Sequence, residues 1–281
     1  MNNIMIFGSG QAGRMIANWI SADLEILGFI DNNHKLWGQY ISNLKIYSVK
    51  ESLEMIPDMI VITVLNQEAS KEIEVQLKSL NYEGTIFNIN DFKKYIDLRL
   101  SSLRLIASEI DEKKLEGCVA ELGVYKGKFA VEINKLFPDR KLYLFDTFEG
   151  FFETDVAVEK EYKYSKAQIG DFSDTSIELV KDKLVNKEQA VFVKGYFPES
   201  IKEDLPSFCF VSLDTDLYKP TYQGLKIFYS KLVKGGIILI HDYNSAQFPG
   251  VKKAVKVFCD EEDVFVVPLS DMHGSAVLIK I

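Results

Sequence analysis

The 281-residue, 32.0 kDa chain is long enough for one large or two modest cores, and at 47% hydrophobic and 26% charged residues it folds without needing disulfides or metals, which excludes disordered and fibrous classes. With 33 Lys+Arg against 41 Asp+Glu, a net charge of -8 and a pI near 5.1, holding nucleic acid by phosphate neutralisation is excluded as well. Cys118, Cys209 and Cys259 stand far apart, without a CxxC pair or metal-ligand spacing, and read as buried thiols. No basic leader precedes the first apolar segment and no apolar run approaches ~18 residues, so the expectation is a cytoplasmic protein without a membrane span.

In chain order, 4–7, 27–31, 59–64 and 84–88 read as strands, and 11–21 and 69–80 as helices. Residues 1–90 are therefore a small βα domain. Residues 91–117, with Leu98, Leu100, Leu103, Leu105, Ile106 and Ile110 among charges, read as a helical linker. From Cys118 the alternation restarts: strands at 118–122, 141–146, 190–194, 208–213, 236–240, 263–268 and 275–280, and helices at 127–137, 174–184, 220–232 and 249–259. Alternating strands and helices predict a mainly parallel sheet covered on both faces. The last two strands, with no room for a helix between them, predict an antiparallel hairpin. The fold class expected is α/β, in two successive domains, 1–90 and 118–281.

Gly8, Gly10 and Gly13 follow the first strand and open a helix, the context in which glycines bring backbone N–H groups to a diphosphate. Asp31 ends the next strand, where an acid holds a ribose hydroxyl. A nucleotide or dinucleotide is thus one expectation; glycines that merely permit close strand-to-helix packing are the other. With IFGSGQAGR followed by LGFIDNN, this part resembles the small Rossmann-like domains that precede nucleotide-sugar-modifying enzymes of bacterial surface-polysaccharide pathways.

The second half carries more chemistry. Glu121, Gly123 and Gly127 form an E-x-G-x-x-x-G turn suited to a ligand with an amino-acid moiety, Glu121 meeting its positive charge directly or through water. Asp146, with Thr147 after it, ends the following strand, where a carboxylate accepts two ribose hydroxyls. Asp214 and Asp216 follow one strand, and His241 and Asp242 the next; neighbouring parallel strands release these four at one sheet edge, where an open α/β fold does its chemistry. Carboxylates there suit Mg²⁺, or they cap helices.

The segments ELGVYKG, LFDTFEGF, GDFSDTS, VKGYFP, SLDTDLYKPT, GGIILIHDY and PGVKKAV resemble, in family order from about residue 100 onward, the S-adenosylmethionine-dependent O-methyltransferases related to macrocin O-methyltransferase, which methylate sugar hydroxyls. The resemblance implies a seven-stranded class I methyltransferase domain and a homo-oligomer acting on a sugar or nucleotide-sugar acceptor. It places the cofactor's methionine end on Glu121, Gly123 and Gly127, its ribose on Asp146, and its adenine and the covering lid near Ser173, Gly195 and Tyr196. It makes Asp214 the first Mg²⁺ ligand and Asp216 the general base. Where the family shows two adjacent aspartates, this chain has His241-Asp242, and a neutral imidazole is a poor partner for Mg²⁺.

Two mechanisms follow. In one, Asp214 and Asp242 hold Mg²⁺ and Asp216 or His241 removes the acceptor proton. In the other, no metal takes part and His241 is the base. His241 is the base preferred here, with metal use left open. Residues 150–172, aromatic and without a clean period, read as an irregular lid. The leading function is methyl transfer to a sugar hydroxyl in bacterial glycan or nucleotide-sugar metabolism. The alternative is a nucleotide-sensing protein using the Gly8–Gly13 turn, with the second fold as scaffold; a nicotinamide-dependent oxidoreductase ranks last, since no dehydrogenase motif accompanies the glycines.

Overall fold

Continuous apolar runs become the central strands of two sheets in a computed structural model that describes residues 3–281, and the chain divides into two compact units between Asp97 and Leu98. In the first unit the sheet order is Tyr40–Ile41, Leu44–Tyr47, Glu25–Ile30, Asn3–Phe7, Met59–Ile62, Thr85–Asn88, all parallel except the hairpin Tyr40–Ile41/Leu44–Tyr47. The sequence reading lacks both strands of that hairpin. They are only two and four residues long and turn through Ser42 and Asn43, both at positive φ (48° and 67°), as a two-residue hairpin loop requires. It also lacks the helix Val49–Glu54, which starts at a capping box in which Ser48 and Glu51 satisfy each other's backbone N–H.

The residues read as a linker form two helices, Ile89–Tyr95 and Leu98–Glu112, and the second belongs to the second unit. Its buried stripe is Arg99, Leu103, Ala107 and Ile110, a helical spacing with a cation at one end.

The second unit's seven strands run in the order Val267–Pro268, Ala276–Ile279, Leu232–Ile240, Phe208–Leu213, Cys118–Leu122, Leu142–Asp146, Ala190–Lys194. Ala276–Ile279 is antiparallel to both neighbours, and the other pairs are parallel. Phe208–Leu213 is buried along its whole length because helices cover both faces. Side-chain alternation sorts the interior into two cores: Ala120, Leu122, Val211, Leu213, Ile238 and Ile240 face one way, Val119, Phe210 and Leu239 the other. On the first face Phe145, Phe197, Phe208 and Phe228 pack with ring centroids 5.4–5.9 Å apart. Truncating a fully buried ring such as Phe228 to alanine costs about 3–5 kcal/mol.

Two expectations need correction. The strand read at 263–268 shrinks to Val267–Pro268, because the preceding helix, Pro249–Glu262, runs on until Asp263 caps it at φ 52°. The lid read as irregular contains the helix Glu153–Tyr162, whose buried residues are Asp155, Val156 and Glu159. An inner face made mostly of acids has no hydrophobic period to read. Cys209 is buried, while Cys118 and Cys259 are only partly so. Among the described residues, no helix is long and apolar enough to cross a membrane.

Candidate functional site

At the carboxyl edge of the second sheet, Cys118–Leu122 turns through Gly123 (φ 87°) into a helix that Gly127 caps. A Cβ on Gly123 would lie 1.9 Å from the carbonyl oxygen of Asp214, so the turn closes against the end of the neighbouring strand only with glycine there. Gly127 caps at φ 73°, packed on Val180. The Asp146 carboxylate locks this turn: Oδ2 accepts the backbone N–H groups of Val124 and Tyr125 at 2.7 and 2.8 Å, and Oδ1 that of Phe148 at 2.7 Å. The bidentate ribose contact expected of Asp146 is therefore largely taken by the protein's own backbone. Thr147 Oγ1 donates to the Gly150 carbonyl, and the Gly195 N–H to that of Asp146.

Asp214, Asp216, His241 and Asp242 converge, with one donor atom of each lying within 4.8 Å of the others. Consecutive strand residues point to opposite faces. Asp242, adjacent to His241, departs from that rule with left-handed backbone at φ 54°; Asp216, two residues after Asp214, also has positive φ, 60°. His241 Nδ1 lies 2.9 Å from Asp214 Oδ1 and 2.5 Å from Asp242 Oδ2. Burial opposes the imidazolium, but the charge of Asp214 and hydrogen bonds to both carboxylates outweigh it and push its pKa up to about 10. Asp214 is held well below the usual carboxylate range: burial would raise it, but His241 and Arg99 more than offset that. Asp216 goes the other way, raised by burial and by the charges of Asp214 and Asp242.

Three parts of the site went unseen in sequence. Arg99 is 7% exposed; its guanidinium donates to Asp214 Oδ2 at 3.1 Å and lies 3.8 Å from the Phe129 ring centroid. Its signal was legible as the one cation on the apolar stripe of its helix. Asp155 and Glu159, on the inner face of the lid helix, form the second. Asp155 Oδ1 accepts the Tyr196 hydroxyl at 2.6 Å, and Lys219 Nζ donates to that same hydroxyl at 2.7 Å. Glu159 Oε1 accepts the N–H of Tyr218, the first residue of the helix that follows Asp214 and Asp216. The third is Asp174 and Thr175, on the strap 170–175 that carries the expected Ser173: Tyr125, inside the glycine turn, donates through Oη to Asp174 at 2.7 Å, and Thr175 donates to the Tyr125 carbonyl. Ser173 is exposed on this strap.

Glu121 lies beneath the cluster, 1% exposed, with Oε2 unpartnered, and burial pushes it well above the usual carboxylate range against the pull of Arg99. In this arrangement it faces Arg99 and Ser212 rather than open space. The His273 ring, in the turn before the last strand, has its centroid 5.1 Å from that of His241.

In the first unit, Gly8 (φ 107°) turns out of the central strand, and Gly13 packs so closely that a Cβ there would meet the Gly8 carbonyl oxygen at 1.9 Å. Gly10 caps the helix Gln11–Ala17 with open space around it. Asp31 Oδ2 accepts Ser9 N–H and Oγ–H at 3.1 and 2.6 Å, and Oδ1 accepts the Asn33 N–H at 2.9 Å. As with Asp146, the expected ribose acid is occupied by its own turn.

The second unit thus holds a cationic pair, Arg99 and His241, threaded through four acids beside a glycine turn, a setting able to bind a small cation and to accept a proton. The donor chemistry of Asp214, His241 and Asp242 fits a divalent ion. A family model described as Macrocin-O-methyltransferase (TylF) matches residues 94–280, and one described as C2185-like, N-terminal, matches residues 1–86. Demethyldecarbamoylnovobiocin O-methyltransferase of Streptomyces niveus is 24% identical over 179 residues, 59% of this chain and 67% of that protein. Among solved structures, the O-methyltransferase NovP superposes with a TM-score of 0.54 at 20% identity, over 65% of this chain and 79% of its own. The calicheamicin methyltransferase CalS11 does so with 0.50 at 19%, over 64% and 77%. These two likenesses speak for the fold.

Proposed function

The chain belongs to the macrocin-O-methyltransferase (TylF) family and is an S-adenosylmethionine-dependent O-methyltransferase; on that premise we propose that its acceptor is a sugar hydroxyl in bacterial glycan or nucleotide-sugar metabolism, with Asp216 as the proton acceptor. The observation that carries the reaction is the convergence of Asp214, Asp216, His241 and Asp242 beside the Gly123–Gly127 turn. The sugar rests on the family resemblance.

S-adenosylmethionine, when bound, supplies an electrophilic methyl group on a sulfonium sulfur. The turn locked by Asp146 presents backbone to its methionine end, and the Tyr125–Asp174 strap narrows the same cleft. The base assignment differs from the imidazole favoured by sequence. In the metal-free site His241 Nδ1 is engaged by two carboxylates and holds its proton at neutral pH, whereas Asp216, with its raised affinity for protons, is the better matched base. Asp216 takes the acceptor hydroxyl's proton as that oxygen bonds to the methyl carbon. Arg99 and His241 keep Asp214 ionised and immobile. Asp214 and Asp242 would hold a divalent cation, which lowers the pKa of a bound hydroxyl and orients it. The lid helix, anchored through Asp155 and Glu159, restricts water.

The test is calorimetric titration of S-adenosylhomocysteine, with Asp146→Ala as control, then transfer from S-adenosylmethionine to a panel of nucleotide sugars read by mass gain. Binding lost in the variant and a methylated sugar are expected. Intact cofactor binding with no sugar methylated would overturn the acceptor assignment, and no binding by the unmodified protein would overturn the cofactor geometry.

A further inference from the structure

The ion implied by the family is Mg²⁺, which takes oxygen ligands and dehydrates reluctantly. The ligands available here are not all oxygen. His241 Nδ1, Asp214 Oδ1 and Asp242 Oδ2 come together from the ends of two adjacent parallel strands, where Leu213 pairs with Ile240. The left-handed backbone of Asp242 is what folds its carboxylate back to the same side as the preceding imidazole. The Nδ1 to oxygen separations, 2.9 and 2.5 Å, approach the edges of a coordination polyhedron, about 3 Å for ligands ~2.1 Å from a shared ion. Arg99 occupies the other oxygen of Asp214, so that carboxylate offers a single oxygen towards His241. The donor set is thus two monodentate carboxylates and one imidazole, with Asp216 beside them. Imidazole suits iron, nickel, copper and zinc, while carboxylate, carbonyl and water suit magnesium and manganese.

Resting on the catalytic site assigned above, we infer that this enzyme selects a later first-row divalent ion, from Fe²⁺ to Zn²⁺, over Mg²⁺, and that His241 makes the selection by ligating through Nδ1. The ion would displace the Nδ1 proton to solvent, and bonds from the ion to Asp214 Oδ1 and Asp242 Oδ2 would replace the hydrogen bonds that proton made. His241 then orients and tunes the ion that Asp214 and Asp242 hold, and Asp216 stays available to the acceptor.

The experiment uses the full chain, stripped with chelator and loaded with one equivalent of Cu²⁺. Pulsed electron paramagnetic resonance reads directly whether a nitrogen lies in the ion's coordination sphere, and competition with Mg²⁺ gives the selectivity. A ¹⁴N modulation is expected in the unmodified protein and none in His241→Asp. Preference for Cu²⁺ over Mg²⁺ should fall on the order of tenfold or more in that variant. Bound Cu²⁺ without nitrogen coupling would overturn the inference, and needs no variant to be seen. So would an unchanged preference in a His241→Asp protein whose S-adenosylhomocysteine binding and melting show it folded. Failure of every divalent ion to bind, with S-adenosylhomocysteine still bound, overturns the inference and leaves the methyl-transfer reading standing. Loss of S-adenosylhomocysteine binding by the unmodified protein points instead to failure of that reading.

Discussion

The two units build the same device and use it differently. In each, a central parallel strand ends in a positive-φ glycine, Gly8 or Gly123, and turns into a helix. An acid from the strand on one side, Asp31 or Asp146, grips the turn by its backbone N–H groups. The strand on the other side ends against the glycine, with Thr63 in the first unit and Asp214 in the second. At that position the resemblance stops. Thr63 Oγ1 donates back to the Phe7 carbonyl and closes the corner, whereas Asp214 opens a row of ionisable groups that runs on to His241 and Asp242. Turn and acid are scaffold, and the chemistry is installed by the next strand ends.

The comparison breaks most visibly at the glycines. Gly123→Ala places a methyl group 1.9 Å from a backbone oxygen in a left-handed conformation, so a loss of roughly 3–5 kcal/mol is expected in chemical denaturation of the second unit. Gly8→Ala meets first a threonine hydroxyl at 2.8 Å, which can turn away, and should cost the first unit about 1–2 kcal/mol. Equal losses would mean that the two turns are equally constrained.

Next come the clamps. Asp146→Asn presents an amide donor to three backbone donors, and S-adenosylhomocysteine affinity by calorimetry should fall on the order of a hundredfold. Asp31→Asn should leave that affinity unchanged. A loss in both variants would show that the first turn contributes to cofactor binding.

The ionisable row adds a pH signature that the first unit has no means to show. The folded pKa of His241, about 10, lies above its ordinary 6.5, so in chelator its stabilising contribution is complete below 6.5 and is lost as pH rises towards about 10. The melting-temperature gap between the unmodified protein and His241→Gln should close over that range. A gap that widens with pH would refute the imidazolium. Smallest is Tyr196→Phe, which removes the hydroxyl between Asp155 and Lys219 and should cost about 1 kcal/mol in melting, with little change in cofactor affinity.

Most of the second sheet was legible because buried parallel strands such as Phe208–Leu213 are unbroken apolar runs, and the sheet edge followed from their alternation with helices. The four residues of the cluster were legible for the same reason: strand ends converge. What hid was polar burial. Arg99 lies on an apolar stripe, and Asp155 and Glu159 make up most of a helix's inner face; each contradicts the pattern by which buried positions are recognised. Nor could spacing reveal that Asp31 and Asp146 spend their oxygens on their own turns, since that depends on a few ångströms of loop closure.

The acidic inner face of Glu153–Tyr162 carries a consequence for motion. A helix docked through leucines exposes oily surface when it lifts, on itself and on the surface it leaves. This one, docked through Asp155, Val156 and Glu159, releases two carboxylates into water that hydrates them well. Undocking would be opposed by these polar contacts together with the burial of Val156, and the face it exposed would be more polar than that of a helix docked through leucines.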